Sequence, residues 1–173
     1  MDEIKDRLSE YFSEMFPSPK CELNYRNDFE LLAAVILSAQ TTDRRVNLVT
    51  EKLFKKYPNP KAFAQAEIKD IETLIKSIGL YKNKAKFLKG TAEILFEKFN
   101  GIVPYREQDL RKLPGVGRKT ANVVLSVLFN KPAFPVDTHV KRVSKRLNIA
   151  RESDTVLVIE EKLTALFPKE TRQ

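Results

Sequence analysis

Leu113-Pro114-Gly115-Val116-Gly117-Arg118-Lys119-Thr120-Ala121-Asn122 holds two of the chain's five glycines, and Pro135-Val136-Asp137-Thr138-His139 follows with its only histidine. Glu107 to Leu113 has the spacing of a short helix, and Arg118 to Phe129 reads as a longer one with Val123, Val124, Val127 and Leu128 inward. Pro114 and Gly115 close the first helix, so the decamer predicts a hairpin between two helices. Gly115 and Gly117 are both expected in backbone conformations closed to other residues, turning amide N–H groups toward one point at the start of the second helix. Pro-Gly-Val-Gly carries no bulky polar side chain, and Arg118 and Lys119 add positive charge, so that point suits a phosphate. A glycine-x-glycine turn taken alone reads first as a plain αα-hairpin, with glycine chosen for the turn.

Helical spacing extends over the whole chain, and no β-hairpin or internal repeat is readable. Residues 2–15 place Ile4, Leu8, Phe12 and Met15 on one face before Pro17 and Pro19. Asn27 is an expected N-cap with Glu30 three positions on, opening a helix that is apolar all round from Phe29 to Leu37 and belongs at the centre. Further helices are predicted from Asp43 to Lys56, near Lys61 to Ala64, from Ile68 through Ile71, Ile75 and Ile78 to a stop at Gly79, and from Tyr81 to Phe99. Asp137 or Thr138 starts a basic helix, and Ser153 is expected to cap a last one carrying Val156, Ile159, Leu163 and Leu166.

The 173 residues contain 31 Lys and Arg against 23 Asp and Glu, a net charge of +8. Such a balance fits a protein that meets a polyanion. The length allows one domain, or one with a small appendage. Cys21 stands alone, which excludes an intramolecular disulfide and a cysteine-held metal cluster, and it is read as a small buried apolar group. No run is long and apolar enough for a membrane span, and Met1-Asp2-Glu3 is followed by charged helix rather than a signal-peptide core. A cytoplasmic, nucleoid-associated monomer without a membrane partner is expected.

The hairpin decamer followed by Val-Asp-Thr-His resembles the helix-hairpin-helix DNA glycosylases, and Glu22-Leu23-Asn24, Leu37-Ser38-Ala39-Gln40-Thr41-Thr42-Asp43 and Ile78-Gly79-Leu80-Tyr81 extend the resemblance to the endonuclease III family from about Lys20 onward. The resemblance implies an all-α helix-hairpin-helix glycosylase fold. Its six-helix barrel would span 22–133, with the hairpin motif at about 107–129, and an incomplete second helical domain would combine 1–21 and 134–173. It implies base-excision repair of double-stranded DNA containing damaged pyrimidines or abasic sites, by removal of oxidised pyrimidines and β-elimination at the abasic site. Lys119 would be the Schiff-base nucleophile and Asp137 the catalytic carboxylate. The start of a helix beside Arg118 disfavours an ammonium ion there and favours the nucleophilic amine. Asp137 is equally placed to be an N-cap, and both roles are compatible.

Gln40 resembles the residue that fills the space left by an extruded nucleotide, and Leu80 the apolar wedge, with ordinary core as the alternative for Leu80. Leu113, Gly115, Val116, Gly117, Arg118 and Thr120 would meet the phosphate backbone, and His139 is read as a local hydrogen-bonding residue with a possible DNA contact. Lys82, Lys86 and Lys89, and likewise Lys141, Arg142, Lys145 and Arg146, are solvated faces or phosphate contacts. Members of the family continue into four cysteines that hold a [4Fe–4S] centre. With Cys21 alone before Gln173, the expectation is no metal or cofactor in this chain, a sequence truncated before that segment, with a cluster-free variant as the alternative, and an apolar face on the first helix left partly uncovered. Two alternatives stay open, a monofunctional mismatch-type glycosylase and a non-catalytic DNA-binding fragment.

Overall fold

The computed structural model describes residues 2–17, 21–131 and 134–167, the first three as backbone only, so Ile4, Pro19 and Pro132 lie outside the side chains described. Among these residues there is no strand, and ten helices follow in order: α1 Asp2–Met15, α2 Asp28–Ser38, α3 Asp43–Lys56, α4 Pro60–Ala64, α5 Ile68–Leu74, α6 Tyr81–Lys98, α7 Glu107–Leu110, α8 Arg118–Phe129, α9 Thr138–Arg146 and α10 Val156–Leu166. The chain groups into a larger unit, Cys21–Val124, and a smaller one made of Met1–Lys20 with Leu125–Gln173.

In the larger unit α2 is the central rod, buried along its length from Phe29 to Leu37. Its start is built locally. Asn27 Oδ1 accepts from Glu30 N at 3.0 Å, and Asp28 and Glu30 place negative charge at the positive end of the helix. The Glu30 carboxylate, 1% exposed, turns to Arg26, accepting from its N–H at 2.8 Å and from its guanidinium at 2.6 Å. A buried carboxylate needs such a partner, because desolvation without one is costly. Asn47 on α3 ties down the segment before α2: its amide donates to Glu22 O, and its Oδ1 accepts from Asn24 N, each at 2.8 Å.

Helices α3 and α6 pack on α2, and α4 and α5 pack on α6. Phe63, Ile71, Leu88 and Leu95 are wholly buried there, and each such side chain contributes about 1.5–3 kcal/mol. Helix α5 is shorter than its isoleucine spacing predicts. It ends at Leu74, and Ile75 and Ile78 enter the core from a turn instead. Gly79 is not the expected stop either, since the left-handed residue of that turn is Leu80, the N-cap of α6. In α8 the inward face is Ala121, Asn122, Val124 and Leu125, whereas Val127 is 36% exposed. The expected face was therefore displaced around the helix.

In the smaller unit α9 and α10 pack together, and Val136, Ile149, Ile159 and Leu163 form the centre of an apolar cluster. Leu8 of α1 reaches this cluster, but Phe12 and Met15 are 49% and 55% exposed, as is expected of a helix with one sparse partner. Thr155, not Ser153, caps α10, accepting from Val158 N at 3.4 Å. Cys21 is exposed, because it precedes the first core residue of its unit, Leu23.

Candidate nucleic-acid interface and reaction centre

The hairpin rests on α6. Leu113 and Val116 are 2% and 6% exposed and anchor it, so these two residues can offer a ligand main chain rather than side chain. Val116 N–H donates to Leu113 O at 3.1 Å, closing the turn, and the buried Thr91 hydroxyl donates to Pro114 O at 2.9 Å. Gly90 leaves room for the Pro114 ring, where a Cβ would stand 3.2 Å from its Cγ.

The two hairpin glycines differ, which corrects the expectation that both adopt special angles. Gly115 has φ +76°, and a Cβ there would lie 2.9 Å from Phe87. Gly117 lies outside the left-handed region and its Cβ position faces open space. Its carbonyl accepts from Ala121 N at 2.9 Å, so Gly117 opens α8. Among the described residues neither the Gly115 nor the Gly117 N–H has an acceptor within the protein. Directly after it come Arg118, whose guanidinium lies 3.9 Å from Glu107, then exposed Lys119 and half-buried Thr120 in the first turn of α8.

Gln40 and Leu80 stand out by backbone strain. Among the described residues five non-glycine residues have positive φ; three are asparagines, which tolerate it, and the other two are Gln40 at +56° and Leu80 at +59°. Leu80 is 61% exposed, which removes the core alternative, and Gln40 is exposed as well. Between them lies a residue the sequence reading missed. Lys84 is 4% exposed, and its ammonium donates to Leu37 O at 2.9 Å, Ala39 O at 2.6 Å and Thr41 Oγ1 at 2.9 Å. Burial pushes its pKa below the ordinary lysine value. The signal was present: Lys84 shares the inward stripe of α6 with Leu88, Thr91 and Leu95. Lys89 also has a structural duty, donating to Ala64 O at 2.7 Å and Ala66 O at 3.0 Å, which leaves Lys82 and Lys86 as the exposed pair of that run.

In the smaller unit Asp137 is the N-cap of α9, its Oδ1 accepting from His139 N and Val140 N, each at 2.9 Å. The cap leaves the carboxylate half-buried and oriented by two backbone donors. His139 is exposed and its Nδ1 accepts from Arg142 at 3.0 Å, in keeping with a hydrogen-bonding residue. Thr138, Lys141, Arg142, Lys145 and Arg146 line a surface recess of about 470 Å³, in which Lys145 is already paired with Glu152. The residues present do not fit a [4Fe–4S] centre, which takes four thiolates: the sequence has Cys21 alone, and no group of three or more metal-binding side chains occurs among the described residues. No helix among the described residues is long and apolar enough to cross a membrane.

Residues 33–169 match the profile of the HhH-GPD superfamily base excision DNA repair proteins. The chain is 52% identical over 157 residues to endonuclease III of Bacillus subtilis strain 168, covering 91% of this chain and 72% of that protein. It is 46% identical over 165 residues to endonuclease III of Rickettsia prowazekii, covering 95% and 77%. A solved structure of a trapped covalent intermediate between endonuclease III and DNA superposes with a TM-score of 0.91 at 49% identity, covering 98% of this chain and 80% of that one. A thermostable thymine-DNA glycosylase, 24% identical, shares the fold with a TM-score of 0.83.

Proposed function

Because the chain belongs to the HhH-GPD superfamily of base excision DNA repair proteins, we propose that this DNA glycosylase and AP lyase acts on oxidised pyrimidines in duplex DNA through a Schiff base on Lys119. The damaged nucleotide must leave the stack first, since its C1′ is inaccessible within it. Gln40 and Leu80, two exposed side chains on strained backbone, enter the space that opens. The hairpin holds the phosphate backbone through the N–H groups of Gly115 and Gly117, beside Arg118 and Thr120.

Asp137 takes a proton from Lys119 and stabilises the positive charge that develops on the sugar. The Lys119 Nζ then bonds to C1′ as the glycosidic bond breaks, and the base departs with the electron pair of that bond. Opening of the sugar ring leaves a protonated imine, which acidifies the C2′ proton. Loss of that proton expels the 3′ phosphate from C3′ and cuts the strand, and water finally hydrolyses the imine and frees the lysine.

The observation that carries this reading is the exposed Lys119 in the first turn of α8, immediately after the hairpin. A relative 49% identical to this chain has been captured as a covalent intermediate with DNA, which supports a nucleophile in the same scaffold. Borohydride reduces an imine to a stable amine, so it is expected to fix the protein covalently on an abasic duplex. Lys119→Ala is expected to abolish the adduct while retaining DNA binding. An equal yield of adduct from the variant would overturn the assignment.

A further inference from the structure

We propose that Lys84 is a positioning residue that locks the Gln40 loop to the Leu80 turn, so that the two inserting side chains enter the duplex as one rigid unit. The ammonium bonds on both sides of Gln40, to Ala39 O at 2.6 Å and to Thr41 Oγ1 at 2.9 Å. Its third bond, to Leu37 O, reaches the last turn of α2, where the negative end of the helix favours a cation. The backbone of the same residue holds the other side: Lys84 N–H donates to Leu80 O at 3.0 Å, so Leu80 lies one helical turn from the clamp.

Three acceptors account for all three ammonium protons, and a buried lysine is rare unless every proton is used. Methionine, neutral and one atom shorter, fills most of the space but ties nothing down. Left-handed backbone at Gln40 and Leu80 persists only where surroundings over-determine it, and Lys84 is bonded to both segments, by its ammonium to the Gln40 loop and by its backbone N–H to Leu80. It touches neither sugar nor base, so its effect on the reaction is exerted through Gln40 and Leu80.

This inference rests on the reading of Gln40 and Leu80 as the residues that enter the duplex, and one set of assays separates the two. Full-length Lys84→Met, Gln40→Ala, Leu80→Ala and the double variant Lys84→Met/Gln40→Ala are compared in borohydride trapping on an abasic site in duplex and in single-stranded DNA. In a single strand no base pair has to be opened. A 2-aminopurine opposite the abasic site reports insertion by its fluorescence. Lys84→Met is expected to trap the single strand within about twofold of the parent, and to lose about tenfold or more on the duplex together with most of the fluorescence rise. Adding Gln40→Ala is expected to cost much less in the Lys84→Met background than alone, since a loosened Gln40 has little left to lose.

Equal losses on both substrates, unchanged rates on both, or multiplicative effects in the double variant would overturn the clamp. If Gln40→Ala and Leu80→Ala leave duplex trapping and fluorescence unchanged, the insertion reading itself fails. Thr41→Val removes one acceptor and leaves the ammonium in place. It is expected to repeat the duplex-selective loss in weaker form, and it decides the matter alone if Lys84→Met does not fold.

Discussion

Gly115 and Gly117 are two residues apart, and the structure predicts opposite consequences for changing them to alanine. At Gly115 an alanine would have to hold φ +76°, which costs an L-residue roughly 1–2 kcal/mol. Its methyl group would also stand 2.9 Å from Cβ and Cδ2 of Phe87, and overpacking of that kind costs about 1–3 kcal/mol. Alanine reduces the entropy of the unfolded chain, which returns roughly 0.4–1 kcal/mol. The net expectation is a loss of about 2–4 kcal/mol, read as a lower urea midpoint at unchanged slope. At Gly117 there is no clash and no left-handed angle, so only the weaker capping of alanine at the start of α8 counts, about 1 kcal/mol or less.

DNA binding should rank the two differently. The Gly117 Cβ would project into the open space that a phosphate needs to reach the hairpin N–H groups, so Gly117→Ala is expected to weaken binding to an abasic duplex by about tenfold while the fold stays intact. A double-mutant cycle tests the steric part: Phe87→Ala, at a position already 40% exposed, removes Cγ and Cδ2 but keeps Cβ at 2.9 Å, so it should recover only part of the Gly115→Ala loss, about 1 kcal/mol. Equal destabilisation by the two glycine substitutions would refute the backbone argument. Unchanged affinity of Gly117→Ala would refute the close approach of phosphate.

Asp137 offers a second separation, because asparagine caps a helix as well as aspartate but carries no charge. Asp137→Asn is expected to hold the thermal midpoint near that of the parent while borohydride trapping falls steeply, whereas Asp137→Ala should also lose about 1 kcal/mol of stability with the cap; matching activity of the parent and the asparagine variant would remove the carboxylate from the reaction. Asp154 accepts from Lys162 Nζ at 2.6 Å and from Arg151 N at 2.7 Å, chiefly the first of which holds its carboxyl below the ordinary 3.8 in the folded protein. Its contribution is therefore complete above that value and lost as pH falls through the lower folded-state value, so the gap in thermal midpoint between the parent and Asp154→Asn should close in acid; a gap undiminished at about pH 2.5 would contradict the pairing.

Most helices were readable because each is signalled by neighbours in sequence. Asn27 before the apolar run of α2 and Asp137 before α9 are local devices, and the structure uses both as caps. The errors arose where the cause was distant. Ile75 and Ile78 carry helical spacing but are buried from a turn, since the chain must reverse before α6. Gly117 looked like Gly115 because nothing in Gly-Val-Gly records that Phe87, 28 positions upstream, closes on one glycine and not the other. Lys89 read as part of a basic stripe, yet its ammonium is spent on the carbonyls at the end of α4.

The hardest residue to read was the one that best explains the candidate site. A lysine at an inward position of α6 violates the apolar pattern, and a violation of pattern without a partner in the local sequence looks like noise. Its partners are 43 to 47 positions away. Hydrogen bonds to a charged group contribute about 1.5–3 kcal/mol each, enough to offset the roughly 1–2 kcal/mol of left-handed strain at each of Gln40 and Leu80. The same helix also carries Phe87, Gly90 and Thr91, which seat the hairpin. The two residues proposed to insert and the hairpin turn are thus all referenced to one element, α6. A substitution that shifts α6 should therefore disturb insertion and backbone binding together, whereas one at Lys84 should disturb insertion alone.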